Sequence, residues 1–160
     1  MLFRSVPRHP QRGREVADRV RAQGLRVALR SAAEAPECDI YVADTLGELG
    51  LFYRLAPIVF LGGSLVPVGG HNPLEPARLQ CATLMGPHRA SFQAMCDALI
   101  AAGALIPVAD EADLSQTLGE LLDHPDRVST VGRHAQDYAT RQADVLPRIL
   151  TALEPYLRAL

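Results

Sequence analysis

Residues 57–77 read PIVFLGGSLVPVGGHNPLEPA, an apolar run that passes directly into a loop rich in glycine. The first five of these residues are mostly β-branched or aromatic, a composition typical of a buried strand in a parallel sheet. Beyond the loop, the spacing of apolar residues predicts a helix over residues 74–79. A buried strand, a glycine-rich loop and a helix in this order indicate the centre of an α/β domain.

The alternation of strands and helices continues on both sides of this segment. Short apolar runs predict further strands at residues 2–6, 25–29, 39–43, 82–85 and 105–108. Helical spacing predicts helices at residues 11–23, 46–55, 91–102 and 114–122, and two more at 125–138 and 144–160. This order predicts a Rossmann-like α/β fold, a doubly wound parallel sheet with extra C-terminal helices.

The composition is that of an ordinary globular protein. The chain has 160 residues, 48% hydrophobic and 21% charged, and shows no repeat or linker, so we expect a single domain over residues 1–160. The net charge of -2 argues against a nucleic-acid partner. All 16 basic residues are arginine and half of them fall in the first thirty positions, where they could meet a phosphate or an anionic membrane face.

The sequence predicts neither a metal site nor a membrane span. Cys38, Cys81 and Cys96 lack CxxC spacing, and the histidines lack HxxxH or HExxH spacing. Reduced thiols in a cytoplasmic protein fit this pattern. Since no signal peptide or apolar run of spanning length is present, we expect a soluble chain, at most peripheral to a membrane.

Ligands of open α/β sheets bind outside the carboxyl ends of the strands. Arg8 and His9 follow the first predicted strand, residues 44–48 (DTLGE) follow the third, and residues 62–75 follow the fourth. Glycine in the last segment lets backbone N–H groups approach a ligand closely, and the helix start beyond it favours an anion. The four loop glycines are Gly62, Gly63, Gly69 and Gly70. Neither a Walker A loop nor a GxGxxG pattern is present.

Two polar pairs have the spacing of a capping box, which leaves two interpretations open for each. Asn72 and Glu75 could simply start a helix, but Pro76 lacks an N–H for the first turn, which would free Glu75 to face a ligand. Thr45 and Glu48 could start the helix over residues 49–55 in the same way, but Gly47 is easier to explain if something packs against its backbone. A solvated side chain is the corresponding alternative for Arg8, and an ordinary surface or core position for His71.

Three segments, PRHPQR (residues 7–12), DTLGELGLFY (44–53) and FLGGSLVPVGGHNPLEPA (60–77), together resemble the 3-deoxy-D-manno-octulosonic acid (Kdo) transferases of lipopolysaccharide synthesis. The resemblance covers almost the whole chain and is to the C-terminal, donor-binding half of a GT-B glycosyltransferase. It implies transfer of Kdo from CMP-Kdo to a lipid A precursor, with inversion and without a metal ion or other cofactor. Without a metal, cationic side chains and helix N-termini would stabilise the departing phosphate.

The resemblance also implies a set of binding residues. Arg8 would contact the CMP phosphate, residues 47–49 would lie beside the nucleotide through their backbone, and Asn72 and Glu75 would hold phosphate or ribose. The loop glycines and His71 would surround the sugar. The full implied set is Arg8, His9, Gly47, Glu48, Leu49, Gly62, Gly63, Gly69, Gly70, His71, Asn72 and Glu75.

In this family an N-terminal domain carries the acceptor site, the membrane anchor and the general base, and no segment here corresponds to it. We therefore expect no catalytic residue in this chain, no Kdo transfer by it alone, and action of the parent enzyme at the cytoplasmic face of the bacterial inner membrane. The helix over residues 144–160 has one apolar stripe, which either packs on its own domain or is exposed and promotes self-association.

The sequence is also compatible with two other functions. A uridine-nucleotide transferase or an epimerase would bind UMP or UDP in preference to CMP. A non-catalytic Rossmann-like interaction module would bind no nucleotide and would tolerate Arg8→Ala and Glu75→Ala.

Overall fold

The computed structural model describes residues 3–143 and 145–157 of the chain. The chain divides into two compact units, a first unit Met1–Phe52 and a second unit Tyr53–Leu160. Whether both units act as one domain stays a prediction.

The first unit contains a three-stranded parallel sheet and one long helix. Its strands are β1 (Phe3–Ser5), β2 (Val27–Leu29) and β3 (Ile40–Val42), and β3 lies between the other two. Helix α1 (Gly13–Ala22) follows a short 3-10 helix, and Gly24 ends it with a positive φ of 77°. Ala17 of α1 packs with Leu29 and Val42 in one of the buried clusters of this unit.

The carboxyl end of β3 is fixed by a buried carboxylate. Asp44 is 7% exposed and accepts hydrogen bonds from the Ser31 amide at 2.9 Å and the Ser31 hydroxyl at 2.7 Å. A Cβ on Gly13 would collide with this carboxylate. Glycine at the start of α1 therefore lets the helix approach the strand end where a ligand is predicted.

The second unit has its own three-stranded parallel sheet, with β5 at its centre. The strands are β4 (Ile58–Leu61), β5 (Ala82–Met85) and β6 (Ile106–Pro107). Its helices are α3 (Leu74–Arg78), α4 (Gln93–Ala101), α5 (Glu111–Asp123), α6 (Pro125–Ala143) and α7 (Val145–Leu157). Helix α2 (Leu49–Leu55) contains the boundary between the units.

Helix α6 holds α3, and with it the end of the glycine-rich loop. Ala135 and Ala139 of α6 lie in the same buried cluster as Ala77 of α3. A Cβ on Gly132 would collide with the Gln80 carbonyl, so the close packing at the end of α3 requires glycine. This contact fixes the helix that follows the predicted ligand loop.

The α/β class with parallel strands is confirmed, and several details differ from the sequence prediction. The strands hydrogen-bond as two sets of three among the described residues, whereas the pattern predicts one sheet. The fully buried strand is β5, because β4 is an outer strand of its set and is mostly half-buried. Helix α5 begins at Glu111 rather than at residue 114, because Asp110 caps it by accepting the Asp113 amide at 2.9 Å.

Candidate functional site

The glycine-rich loop after β4 closes on itself. Gly63, Gly69 and Gly70 all have positive φ, and the Gly70 amide donates to the Gly63 carbonyl at 3.0 Å. Gly70 is favoured by its φ of 69°, and a Cβ there would also lie 2.5 Å from the Met85 Cε and 3.3 Å from the His88 carbonyl. The loop thus has a defined shape, and the Gly70 N–H is used within it rather than directed at a ligand.

Ser64 fastens this loop to the segment that follows β5. Its side chain is fully buried, and its hydroxyl donates to the Leu61 carbonyl at 2.5 Å and accepts from the Gly86 amide at 2.9 Å. The Ser64 carbonyl accepts from the His88 amide at 2.9 Å. The carboxyl ends of two neighbouring strands are therefore joined at one residue.

Asn72 leads into α3 without the capping box that its spacing allows. Its Oδ1 accepts from the Leu74 amide at 3.0 Å, two residues on, and no side-chain cap is formed at the helix start. Helix α3 begins at Leu74, so Pro76 lies in the first turn, where its missing N–H leaves no broken bond. The inference that Pro76 delays the helix is wrong, although the inference that Glu75 is free of the cap holds.

Glu75 is exposed, and among the residues that the structure describes its carboxylate has no hydrogen bond or ion pair. The negative charge of Glu75 affects the pKa of Tyr53, a residue of the same unit. Burial raises the pKa of Tyr53 to about 12, and the charge of Glu75 adds to this increase. His71 is half-buried beside the loop glycines, and Gly62 is exposed with open space around it.

In the first unit, Arg8 and His9 lie in the turn after β1, and both are exposed. The His9 carbonyl accepts from the Arg12 amide at 3.0 Å in the 3-10 turn, which fixes the backbone at this strand end. Arg8 forms no ion pair within the described part of the chain, whereas most other arginines of this unit pair with a carboxylate. Its guanidinium is available to a phosphate.

Glu48 has a structural role that the sequence did not reveal. Arg30 donates to both carboxylate oxygens, at 3.1 Å and 2.7 Å, and the Thr45 hydroxyl donates to one of them. These bonds lower the pKa of Glu48 to about 2, the contribution of Arg30 being the largest. Thr45 does not cap the helix, because Gly47 takes a left-handed φ of 83°, but α2 begins at Leu49, directly after Glu48, as the spacing predicts.

Ser64, Arg30 and Arg89 are the residues near these loops that the sequence reasoning missed. Ser64 and Arg30 act through partners distant in sequence, Gly86 and Glu48, so no local pattern marks them. Arg89 donates to the Gly86 carbonyl at 3.2 Å, and its buried Nε has no hydrogen-bond partner within the described residues. A serine directly after two glycines was the one available signal, and it is a weak one.

A separate cavity of about 480 Å³ lies beside the loop in the second unit. It is lined by Leu65, Val66, Ala109, Asp110, Glu111 and Ala112. None of the residues predicted to bind the nucleotide lines it.

The described residues contain no cluster of three or more histidine, cysteine or acidic side chains suited to a metal ion. Within the same ranges, every helix is too short or too polar to cross a membrane.

Parallel strands whose carboxyl ends carry a shaped glycine loop and a polar helix start define an α/β domain of the ligand-binding class. No family model matches the chain. The 3-deoxy-D-manno-octulosonic acid transferase of Haemophilus influenzae is 33% identical over an alignment that covers 98% of this chain and 38% of that protein. The enzyme of the same name from Bordetella pertussis is 34% identical over 98% of this chain and 37% of its own length.

A solved structure is matched over a larger share of its own length. The crystal structure of the C-terminal CMP-Kdo binding domain of WaaA from Acinetobacter baumannii superposes with a TM-score of 0.79 at 34% identity, covering 84% of this chain and 71% of that one. The chain belongs to the 3-deoxy-D-manno-octulosonic acid transferase family, and it corresponds to the C-terminal domain. It spans less than two fifths of the length of the bacterial relatives named above.

Proposed function

We propose that this chain is the donor-binding domain of an inverting glycosyltransferase that moves Kdo from CMP-Kdo to a lipid A precursor. The observation that carries the proposal is the likeness to the CMP-Kdo binding domain of WaaA, in fold and at 34% identity. The chemistry of the loops supports it, since a nucleotide-sugar offers ribose hydroxyls and a phosphate to be bound.

Glu75 is the residue we assign to the ribose. A carboxylate accepts hydrogen bonds from two neighbouring hydroxyls, and that of Glu75 is exposed and not engaged by any described residue. Asn72 stands directly before the helix with its Oδ1 already bonded to Leu74, so its amide N–H groups are the part left for a ligand. We assign Gly62, Gly63, Gly69, Gly70 and His71 to shaping the loop around the sugar.

Arg8 is the residue we assign to the phosphate. Its guanidinium is exposed and not paired with a carboxylate in the described residues, and a planar fork suits two phosphate oxygens. His9 adjoins it. Gly47, Glu48 and Leu49 enter the proposal through their backbone, because the Glu48 carboxylate is held by Arg30.

The proposal includes no metal ion or other cofactor, and it places the whole enzyme at the cytoplasmic face of the bacterial inner membrane. It also includes self-association through α7, whose Ile149, Leu150, Leu153 and Tyr156 are exposed. The remaining apolar positions of the predicted stripe, Val145, Leu146, Leu157 and Leu160, lie outside the described side chains. Light scattering that finds only monomer at high concentration would contradict this last part.

The test is a calorimetric titration with CMP, UMP and UDP. We expect CMP to bind most tightly, and Glu75→Gln to weaken CMP binding about tenfold, the loss of one hydrogen bond to a charged group. Glu111→Gln is the matched control, because Glu111 is also an exposed glutamate in the first turn of a helix, and it should leave CMP affinity unchanged.

Two results would contradict the proposal. Equal or tighter binding of UMP or UDP would favour a uridine-nucleotide enzyme. Absence of binding of any nucleotide by the folded chain would favour a non-catalytic interaction module.

A further inference from the structure

Ser64 is the only serine of the described residues with a side chain that is fully buried, and it sits inside the glycine-rich loop rather than in a strand. Three hydrogen bonds of Ser64 connect the two strand ends. Its hydroxyl donates to the Leu61 carbonyl and accepts from the Gly86 amide, and its carbonyl accepts from the His88 amide. The residue therefore links the carboxyl ends of β4 and β5.

The residues around this link are closely packed. A Cβ on Gly86 would collide with the Ser64 carbonyl, and a Cβ on Gly70 would lie 3.3 Å from the His88 carbonyl and 3.6 Å from the Ser64 Cβ. Both ends of the glycine-rich loop thus touch the segment after β5. Since Gly70 directly precedes His71 and Asn72, a shift at Ser64 moves the start of the proposed donor-binding segment.

We propose that Ser64 is a positioning residue for donor binding, which holds the glycine-rich loop and the segment from Gly86 to His88 in the one arrangement that binds the nucleotide-sugar. The proposal rests on the proposed function of the loop. Ser64 itself touches no ligand. Its contribution is preorganisation, because a loop held in its bound shape by packing and hydrogen bonds loses little freedom when the ligand arrives.

Three variants separate this role from a general loss of stability. Ser64→Ala removes the hydroxyl, and Ser64→Cys keeps a side chain of similar size with a much weaker hydrogen-bonding group. Thr83→Val is the matched control, since Thr83 is 1% exposed in β5 and its hydroxyl bonds only the Cys81 carbonyl at 3.3 Å, away from the loop.

For each variant, CMP affinity is measured by calorimetry, stability by urea unfolding, and exchange of the Gly70 amide by NMR. We expect Ser64→Ala and Ser64→Cys to weaken CMP binding about tenfold, the loss expected for one buried hydrogen bond left unmade. Exchange of the Gly70 amide should accelerate in both, although Gly70 bonds Gly63 and not Ser64. Thr83→Val should lose stability while its CMP affinity and Gly70 exchange stay as in the wild type.

The inference is overturned if both Ser64 variants bind CMP as tightly as the wild type, or if Thr83→Val weakens binding as much as they do. Wild-type affinity in Ser64→Cys together with weak binding in Ser64→Ala would also overturn it, because packing volume and not hydrogen bonding would then hold the loop. A wild-type chain that binds no nucleotide contradicts the proposed function instead. In that case, unchanged Gly70 exchange in Ser64→Ala is the result that overturns the positioning role.

Discussion

Glu48 and Glu75 stand in the same local pattern, three residues after a side chain that can cap a helix. In the folded protein, however, only the Glu48 carboxylate is hydrogen-bonded within the described residues. Arg30 and Thr45 hold the Glu48 carboxylate. The Glu75 carboxylate has no hydrogen bond or ion pair to any described residue. The difference comes from Arg30, a residue on the neighbouring strand end, and not from the pattern itself.

The backbones of the two segments differ as well. A Cβ on Gly47 would meet open space, so the fold requires glycine there for the left-handed φ and not for close packing. In the second unit, Gly70 and Gly86 are enclosed by Met85, His88 and Ser64. The first segment is thus fixed by an exposed ion pair and the second by buried packing, which leaves the second with its carboxylate free for a ligand.

The largest effect is expected where the packing is tightest. Gly86→Ala puts a methyl group against the Ser64 carbonyl, and a backbone atom cannot rotate away. We expect the free energy of unfolding to fall by about 3 kcal/mol, the upper part of the range for overpacking a core. Urea unfolding measures it.

Gly62→Ala is the matched control for this substitution. Gly62 belongs to the same loop, but nothing lies within 4 Å of the position of its Cβ and its φ is not positive. Its unfolding free energy should stay within about 0.5 kcal/mol of the wild type, as for other exposed substitutions. A similar loss in both variants would show that the loop tolerates no side chain anywhere, and the contrast drawn from packing would be wrong.

Local patterns predicted the elements well and the contacts between them poorly. Strand β5 falls on residues 82–85 as predicted. All four of its residues are buried, as expected for the central strand of a parallel sheet. Helix α6 runs five residues beyond its predicted end at residue 138, since its polar last turn gives no stop signal. The free carboxylate of Glu75 was anticipated for a partly wrong reason, because the deciding bond is that of Asn72 to the Leu74 amide.

The rest depends on residues that meet only in three dimensions. The bonds from Arg30 to Glu48, and from Gly86 to Ser64, connect segments separated by a strand or a helix. Spacing rules describe neighbours on one element and carry no information on such pairs. The sequence therefore predicts which loops form the candidate site, but not which residues hold those loops in place.

The ion pair of Glu48 is expected to make the free energy of unfolding depend on pH in the acidic range. Its pKa falls from 4.5 in the unfolded chain to about 2 in the folded protein, so its contribution is complete above about pH 4.5 and is lost as the pH drops to about 2. Because the pair is exposed, we expect a modest effect that high salt reduces. Urea unfolding of Glu48→Gln and of the wild type across this range should show a difference that shrinks toward pH 2.

Glu75→Gln is the contrast for that measurement. Its carboxylate has no partner in the described part of the chain, so the variant should have the free energy of unfolding of the wild type at pH 7. A large loss of stability in Glu75→Gln, together with no loss in Glu48→Gln, would reverse the roles assigned to the two carboxylates.

The smallest effect is expected at Tyr53, which reports the charge of Glu75 without any ligand. Burial is the main cause that raises its pKa to about 12, and the negative charge of Glu75 is the second. Replacing that charge in Glu75→Gln should lower the pKa of Tyr53 while leaving it above 10, because the burial remains. Ultraviolet titration of tyrosinate, with Tyr53→Phe to identify the signal, measures the shift. An unchanged pKa would mean that the Glu75 carboxylate points away from Tyr53 in solution.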